Sequence, residues 1–467
     1  MAVTSASLIP WCKALVDPDV HAKPLLLADY LKAIPRLESL ADLPPGTTVL
    51  VRGDVDAKPG AKIGEGDIRL RSMVPTLQFG IKQGWKQIIF GHIGRKPEGS
   101  LKAVAARIGE LVGTPTVLVT DWWDEDAQTV APAAIETIRA AAPGSILVLD
   151  NTRRYKVERH LWDASADDVP TRADSLARFA HELAEHVARV YVNEALSAGS
   201  LDSSSTVVPA AMDRVALGQY VAQEFDGPMQ RCLACELVIF SGLKADKLDD
   251  LEAMIARGTV RWVFTAGSLA MALKKAEAES EGGDFSLGVA EDPAHKDKPY
   301  YIPRERVEQA RRMLLSGRSK GIEFVLPIDF VLADGEVSST IGPGQQQFDV
   351  GPATSELFEL KIGQFIAAVR NQPSRTQPAV AFHNGVFGMF EDPRFEGGTK
   401  RFMQQLKRMK EAGVEVYIGG GEGGTALERY GEPDWVTHVF TAGGTVLNAL
   451  GAKPVPYLQA LAAAAQK

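Results

Sequence analysis

Two glycine-rich segments near the C-terminus have the residue types and spacing of a phosphate-binding site. The apolar run Val416–Ile418 is followed by Gly419–Thr425, and Val439–Phe440 is followed by Thr441–Thr445. Each pattern predicts a strand, a glycine turn and a helix N-terminus, where free N–H groups and the helix dipole attract anions. Glu422 lies where it could hold a metal ion beside the phosphate. Ordinary tight turns in α/β proteins share this pattern, so both interpretations stay open at this point.

A second group of candidate residues follows predicted strands in the N-terminal half. Apolar runs at 47–51, 87–90 and 145–149 end in charged residues, and Arg69 lies in the first turn of a helix predicted at 68–80. The carboxyl ends of parallel strands lie at one edge of a sheet, where ligands bind. The other side chains expected at this edge are Arg52, Asp54, Asp56, His92, Arg95 and Arg153. A single arginine is more often a solvated surface charge, but this set of basic residues favours an anionic ligand.

The C-terminal half has strand ends of a different kind. Two predicted strands, at 237–240 and 379–382, lead into residues suited to phosphate contacts, namely Gly242, Lys244, Lys247 and Asn384. Lysine reaches phosphate oxygens as a mobile point charge, and glycine lets the backbone approach closely. The spacing is not that of a P-loop, because no Gly-Lys-Ser/Thr occurs there.

The elements that position these residues alternate between short apolar strands and amphipathic helices. This alternation predicts an α/β fold with two doubly wound, Rossmann-like parallel sheets. A chain of 467 residues is too long for one ordinary core. A helix at about 209–225 is predicted to join the domains as a hinge, giving domains at 1–210 and 211–452. Smaller predictions are a helix at 25–40, a surface insertion at 275–299 and a helix cap at Thr354.

Composition excludes several classes of protein. The net charge of −8 and the pI near 5.6 argue against general nucleic-acid binding. No apolar run approaches the roughly 18 residues of a membrane span, and the N-terminus lacks a signal-peptide pattern. We therefore expect a soluble cytoplasmic protein, with an organelle not excluded. Three cysteines cannot form a disulfide framework, and Cys232 and Cys235 are interpreted as ordinary buried thiols rather than a redox or metal pair.

In order and spacing, these motifs resemble the phosphoglycerate kinase family from about residue 47 to the C-terminus. The N-terminal motifs that carry the resemblance are Arg52–Asp56, Asp67–Arg69, Gly91–Arg95 and Asp150–Arg153. The C-terminal ones are Ser241–Lys244, Leu326–Asp334, Asp349–Pro352, Asn384–Glu391, Gly419–Glu422 and Thr441–Gly444. The resemblance implies a monomeric two-domain hinge enzyme that moves the γ-phosphoryl of MgATP reversibly to the carboxylate of 3-phosphoglycerate. It also assigns 453–467 to the first domain.

The resemblance further implies a role for each matching residue. Arg69 would bridge the acceptor carboxylate and the moving phosphoryl group, supported by Lys244, Gly420 and Gly443. The acceptor would be bound by Arg52, Asp54, Asp56, His92, Arg95 and Arg153. The nucleotide would be bound by Gly242, Lys247, Gly267, Asn384, Gly388, Met389, Glu391, Gly421 and Thr425. Glu422 would bind the magnesium ion.

The chain departs from the family pattern on both sides of the predicted site. Ser200 and Leu201 stand where the family has a histidine and an arginine that contact the acceptor's distant phosphate. Asp56 replaces an asparagine, Glu422 an aspartate and Val386 a proline, and the lysine pair after the first C-terminal strand is one residue closer together. Three hypotheses remain: a divergent phosphoglycerate kinase, a related carboxylate kinase acting on a different acid, and a catalytically weak binding or scaffold protein.

Overall fold

The computed structural model describes residues 3–17, 27–243, 247–372, 374–451 and 453–467. The chain divides into two compact units, Met1–Asp226 with Pro454–Lys467 (unit 1) and Gly227–Lys453 (unit 2). Each unit contains a six-stranded parallel sheet. The predicted α/β class with two parallel sheets is confirmed.

The strands of unit 1 are β1 (Thr48–Gly53), β2 (Lys86–Phe90), β3 (Thr116–Val119), β4 (Trp123–Asp124), β5 (Thr129–Val130), β6 (Ile146–Leu149), β7 (Val190–Glu194) and β8 (Arg214–Leu217). The sheet order is β3-β6-β2-β1-β7-β8, and β4 and β5 form a separate hairpin. In β1, Val51 lies opposite Ile89 on one side and Val192 on the other. A central parallel strand is covered on both faces, which is why Val49, Leu50 and Val51 form a continuous apolar run.

The helices of unit 1 are α1 (Ser5–Val16), α2 (Leu27–Ala33), α3 (Ile68–Lys82), α4 (Lys102–Val112), α5 (Pro132–Ala140), α6 (Val169–His186), α7 (Ser203–Thr206), α8 (Gln219–Asp226) and the last helix of the chain (Pro456–Ala465). α3 and α4 pack against each other, and α3 buries Leu70 and Leu77 in the same cluster as Val51. The last helix packs on α2 and α7 and buries Tyr457 and Leu461, which holds the C-terminal segment in unit 1.

The strands of unit 2 are β9 (Leu237–Gly242), β10 (Trp262–Ala266), β11 (Glu323–Val325), β12 (Phe330–Leu332), β13 (Val337–Ser338), β14 (Gln347–Val350), β15 (Val380–Asn384), β16 (Glu415–Gly419) and β17 (His438–Phe440). The parallel sheet has the order β11-β10-β9-β15-β16-β17. A small antiparallel sheet, β13-β12-β14, was not predicted, because strands of two to four residues leave no alternating pattern in the sequence.

The helices of unit 2 are α9 (Pro228–Cys232), α10 (Lys247–Ala256), α11 (Gly267–Ser280), α12 (Arg304–Ser319), α13 (Pro352–Arg370), α14 (Gly397–Glu411), α15 (Gly421–Tyr430) and α16 (Gly443–Leu450). The chain's last helix is therefore α17. α13 and α14 pack together over the sheet, where Phe358, Phe387 and Phe402 form an aromatic cluster with ring centroids 4.6 to 6.0 Å apart. Burial of such a ring contributes about 1.5–3 kcal/mol.

The predicted hinge helix at 209–225 is wrong. The segment forms a 3-10 turn (Val208–Ala211), then β8, then α8. The apolar residues of β8 complete the sheet edge beside β7, and this pairing competes successfully with helix formation. Because β8 and α8 belong to unit 1, the units meet in sequence at Asp226 rather than at the predicted residue 210.

Three smaller predictions also need correction. α1 was missed, since Pro10 lies inside it, although Thr4 and Ser7 form a capping box at its start. The described part of the predicted helix at 25–40 is α2 and a separate 3-10 turn, Leu37–Leu40. The predicted insertion at 275–299 begins inside α11, and two 3-10 turns follow at Gly288–Ala290 and Pro293–His295.

The N-terminus of α13 is capped by Asp329 rather than by the predicted Thr354. Thr354 is buried inside α13, whose N-cap residue is Gly351. The carboxylate of Asp329 accepts hydrogen bonds from the backbone N–H groups of Ala353 (3.0 Å) and Thr354 (2.7 Å). A side chain distant in sequence thus satisfies the free donors of this helix.

Candidate functional site

The acceptor half of the candidate site lies at the carboxyl edge of the unit 1 sheet. Arg52 is the penultimate residue of β1, His92 follows β2, Arg153 follows β6, and Arg69 is the second residue of α3. The register places Arg52 beside Phe90, the residue at which β2 ends. The predicted convergence of basic side chains at one edge of this sheet is therefore present for these residues.

Arg69 lies between two carboxylates. Its Nη1 donates to the backbone oxygen of Asp56 at 2.9 Å and lies 3.3 Å from Oδ2 of Asp56, while its Nε lies 3.7 Å from Oδ1 of Asp54. Asp54 is fully buried and accepts a 2.6 Å hydrogen bond from the hydroxyl of Ser197. Asp56 also accepts from the backbone N–H of Gly94 at 2.9 Å. These contacts fix the Arg69 guanidinium although a quarter of its side chain is exposed.

Arg52, His92 and Arg153 form a buried basic cluster around a residue that sequence reasoning missed. The carboxylate of Asp202 lies 3.1 Å from Arg153, 3.2 Å from His92 and 3.6 Å from Arg52. Burial alone would raise the pKa of Asp202, but the contact with His92 and the charges of Arg153 and Arg52 outweigh it and hold that pKa well below its usual value. A lone aspartate in a serine-rich stretch carries no sequence signal, so nothing singled it out.

Burial makes His92 harder to protonate than a free histidine, because it lowers the pKa of the ring. Burial, the largest effect, lowers the pKa of His92 from 6.5 against the raising influence of Asp202. Nδ1 lies 3.0 Å from Nη2 of Arg52 and 3.2 Å from Asp202, so it either accepts from the guanidinium or donates to the carboxylate. The two guanidinium groups supply positive charge to the cluster whatever the protonation state of His92.

Arg95 differs from the other basic residues of this edge. It lies in the loop after β2 and is exposed to solvent. Arg71, which shares the first turn of α3 with Arg69, pairs with buried Asp67 at 2.9 Å. This ion pair gives Arg71 a structural role at the start of α3.

The buried carboxyl group of Glu194, at the end of β7, accepts hydrogen bonds from two helices. Glu194 accepts from the hydroxyl of Thr76 on α3 at 2.7 Å, and from the N–H groups of Tyr220 (3.0 Å) and Val221 (3.3 Å) at the start of α8. Burial raises the pKa of Glu194 to about 7. Because the unfolded chain releases this proton near pH 4.5, the folded state binds more protons between those values and loses stability as pH rises through 7.

We expect Glu194→Gln to gain stability relative to the wild type as pH rises. From pH 6 to pH 8 the difference in unfolding free energy should shift by about 1 kcal/mol in favour of the variant, since glutamine has no proton to lose. Urea unfolding at several pH values measures this, with Glu185→Gln on the exposed face of α6 as the matched control. A difference that stays constant with pH would contradict the raised pKa.

The nucleotide half of the candidate site lies at the carboxyl edge of the unit 2 sheet. β9, β10, β16 and β17 are followed in the chain by α10, α11, α15 and α16, whose N-termini come soon after the strands end. An added Cβ on Gly420 would lie 3.3 Å from Cα of Gly443, so the two glycine turns touch. Gly267 approaches Gly242 as closely, since an added Cβ would lie 2.7 Å from the Gly242 oxygen. Helix N-termini grouped in this way are suited to bind phosphates.

Polar side chains connect these turns. Nζ of Lys247 donates to the backbone oxygen of Ser241 at 2.8 Å and to Oδ1 of Asn384 at 3.1 Å. Nδ2 of Asn384 donates in turn to the backbone oxygen of Gly419 at 2.7 Å. Lys247 therefore lies beside the other nucleotide-binding candidates, although its spacing from the preceding lysine differs from the family pattern. Lys244 lies outside the described residues.

The remaining nucleotide candidates follow β15 or lie on α15. Gly388 is packed so closely that an added Cβ would lie 2.4 Å from the backbone oxygen of Phe395. Met389 is 49% exposed, an unusual position for a large apolar side chain. The other three are exposed: Glu391 after β15, and Gly421 and Thr425 on α15.

Glu422 is an exposed carboxylate in the first turn of α15. In the described part of the chain no three His, Cys, Asp or Glu residues are grouped so that they could hold a metal ion. This donor set does not fit an all-protein metal cage. It does fit magnesium, which uses one or two carboxylates together with substrate phosphates and water.

Two features outside this site bear on other classes of function. Cys235 is completely buried, and burial raises the pKa of its thiol to about 12, which disfavours redox or metal chemistry with Cys232. Across the described ranges, no helix combines the length and the apolar character that crossing a membrane requires.

Comparison with known proteins gives consistent results. The sequence profile of the family described as phosphoglycerate kinase matches residues 41–453. The cytosolic phosphoglycerate kinase of Triticum aestivum is 29% identical over 442 residues, which cover 90% of this chain and 96% of that protein. The phosphoglycerate kinase of Candida glabrata is 27% identical over 433 residues, covering 87% and 94%.

Solved structures share the fold. Phosphoglycerate kinase from Pyrococcus horikoshii OT3 superposes with a TM-score of 0.70 at 21% identity, covering 93% of this chain and 100% of that one. The enzyme from Coxiella burnetii gives a TM-score of 0.62 at 22% identity, covering 90% and 98%.

Proposed function

This chain belongs to the phosphoglycerate kinase family, and we propose that it transfers the γ-phosphoryl group of ATP reversibly to the carboxylate of 3-phosphoglycerate. The products are ADP and an acyl phosphate. The observation that supports this most strongly is the set of arginines at one sheet edge of unit 1, with Arg69 held beside Asp54 and Asp56.

The reaction needs little covalent chemistry from the protein. A carboxylate is ionised at neutral pH, so no general base is required, and catalysis consists of positioning and charge neutralisation. Arg69 bridges the acceptor carboxylate and the transferring group, and Asp54 accepts a hydrogen bond from the acceptor hydroxyl. The far end of the acid is bound by Arg52, His92, Arg95 and Arg153, with Asp56 orienting Arg69.

The nucleotide is bound by the turns and helix N-termini of unit 2. N–H groups of Gly420, Gly421 and Gly443 hold the phosphates, and Lys247 and Asn384 fix those turns. Lys244 supports the transferring group, a role that rests on the family resemblance. The adenosine is bound by Gly267, Met389 and Glu391, and the nucleotide site is completed by Gly242, Gly388 and Thr425.

Magnesium is assigned to Glu422. Glu422 is the second residue of α15, beside the glycine turn, so its carboxylate could hold a metal ion close to the phosphates at the helix N-terminus. The ion would neutralise charge on the phosphates, while Gly420 and Gly443 orient them through their backbone.

The proposal is tested by incubating the full chain with MgATP and 3-phosphoglycerate and trapping the acyl phosphate with hydroxylamine. We expect hydroxamate that depends on both ligands, and MgADP binding in calorimetry. Hydroxamate with another acid but not with 3-phosphoglycerate would overturn the choice of acceptor. Absence of nucleotide binding would overturn kinase activity altogether.

One observation favours a second candidate, a carboxylate kinase for a different acid. Asp202 introduces a negative charge into the basic cluster that would contact the far end of the acceptor. Ser200 and Leu201, just before it, supply no positive charge in compensation.

A further inference from the structure

The basic cluster of unit 1 already holds an anion that belongs to the chain. The carboxylate of Asp202 contacts Arg52, His92 and Arg153, and it also accepts a 2.8 Å hydrogen bond from Nε1 of Trp162. These four partners come from three separate segments of unit 1 and surround a side chain with no solvent exposure. Asp202 therefore occupies the position at which an anionic ligand would meet these residues.

Helix capping does not account for this aspartate. Asp202 precedes α7, but its side chain makes no capping hydrogen bond. The N–H groups of Ser205 and Thr206 bond instead to its backbone oxygen, which any residue provides. The carboxylate is thus directed away from the helix and into the cluster.

The cluster disfavours a second negative charge. Glu158 accepts from the hydroxyls of Thr152 and Ser204 and from the N–H of Ser204, yet its pKa is raised to about 7. Burial is the main cause, and the charge of Asp202 raises this pKa further. A ligand phosphate brought to the same place would meet the same repulsion.

Further contacts hold the two arginines in the positions from which they reach Asp202. Arg153 donates to the backbone oxygen of Gly94 at 2.8 Å and lies over the ring of Trp162 at 4.6 Å. Arg52 donates to Ser204 at 3.0 Å and to the Gly53 oxygen at 2.7 Å. Since Asp202 is tethered to the same chain, its effective concentration at the cluster is on the order of millimolar or higher.

We propose that Asp202 is a specificity-determining residue, which competes with the distal phosphate of the acceptor for Arg52, His92 and Arg153. The inference rests on the proposed function, in which these residues bind the far end of the acid. The pocket discriminates against a second anionic group and favours an acid with a hydroxyl there, since a hydroxyl donates a hydrogen bond to Asp202. Asp202 therefore lowers the affinity for 3-phosphoglycerate relative to the same pocket without that carboxylate.

The test compares 3-phosphoglycerate with glycerate, the same acid without phosphate. Kinetics with MgATP are measured for the wild type, for Asp202→Asn and for Asp163→Asn, an equal charge change at an exposed site. We expect Asp202→Asn to raise the ratio of kcat/KM for 3-phosphoglycerate to that for glycerate by about tenfold or more, mainly through KM. An unchanged or lower ratio in the folded variant would overturn the proposal.

Two further measurements keep the test decisive. If no acid is phosphorylated although MgADP binds, the proposed function fails, and inorganic phosphate then probes the cluster directly. Phosphate should raise the thermal unfolding midpoint of Asp202→Asn but not of the wild type, and equal shifts would overturn the proposal.

If Asp202→Asn does not fold, Trp162→Phe removes one donor to Asp202 and keeps the ring over Arg153. It should change the kinetic ratio in the same direction by a smaller factor, and no change would count against Asp202.

Discussion

Arg69→Ala is expected to lower kcat by about 10²–10³-fold while leaving the affinity for MgADP unchanged. Arg69 lies in unit 1, where its side chain contacts Asp54 and Asp56. In the proposed reaction its charge acts where negative charge moves between donor and acceptor, so its loss affects the transition state more than nucleotide binding. Hydroxamate trapping measures kcat, and calorimetry measures MgADP binding.

Arg71→Ala is the matched control. It removes the same charge from the same helix turn, but Arg71 is 46% exposed and pairs with Asp67 away from Asp54 and Asp56. Asp67 keeps its ion pair with Arg107 when Arg71 is removed, so this variant should stay folded and keep kcat close to the wild-type value. Thermal unfolding of both variants shows whether the carboxylates left without Arg69 destabilise unit 1. Equal kcat values for the two variants would refute the assigned role.

The parts of the fold that could be predicted are those with a local signal. Continuous apolar runs located β1, β2 and β6 within one or two residues, because central strands are covered on both faces. The glycine turns beside β9 and β16 were equally visible. β8 and the three short antiparallel strands gave no such signal, and their apolar residues find partners only through the folded chain.

The charges of the candidate site could likewise be predicted only in part from the sequence. Residue type identified Arg52, Arg69, His92 and Arg153 as anion-binding candidates, and the sheet edge brings them together. Sequence could not reveal that each of these arginines already has a carboxylate within 4 Å. Asp202 and Glu158 reach the cluster from segments whose position depends on tertiary packing. The charge balance of the pocket is therefore a property of the fold.

Gly420→Ala is expected to weaken MgADP binding by about tenfold or more. Gly420 has φ 96° and ψ 163°, a conformation that is essentially restricted to glycine and costs other residues about 1–3 kcal/mol. Its Cβ would also lie 3.3 Å from Cα of Gly443, so the two turns would have to separate. The backbone N–H groups proposed to hold the phosphates would move with them. Calorimetry with MgADP measures the loss of affinity.

Gly413→Ala provides the control for positive φ. Gly413 has φ 85° and precedes the same strand, β16, at its other end, where an added Cβ meets nothing within 4 Å. Both variants should lower the thermal unfolding midpoint, since alanine is strained at positive φ. If the two glycine turns form the phosphate site, only Gly420→Ala also weakens nucleotide binding. Equal affinities in both variants would place the phosphates elsewhere on unit 2.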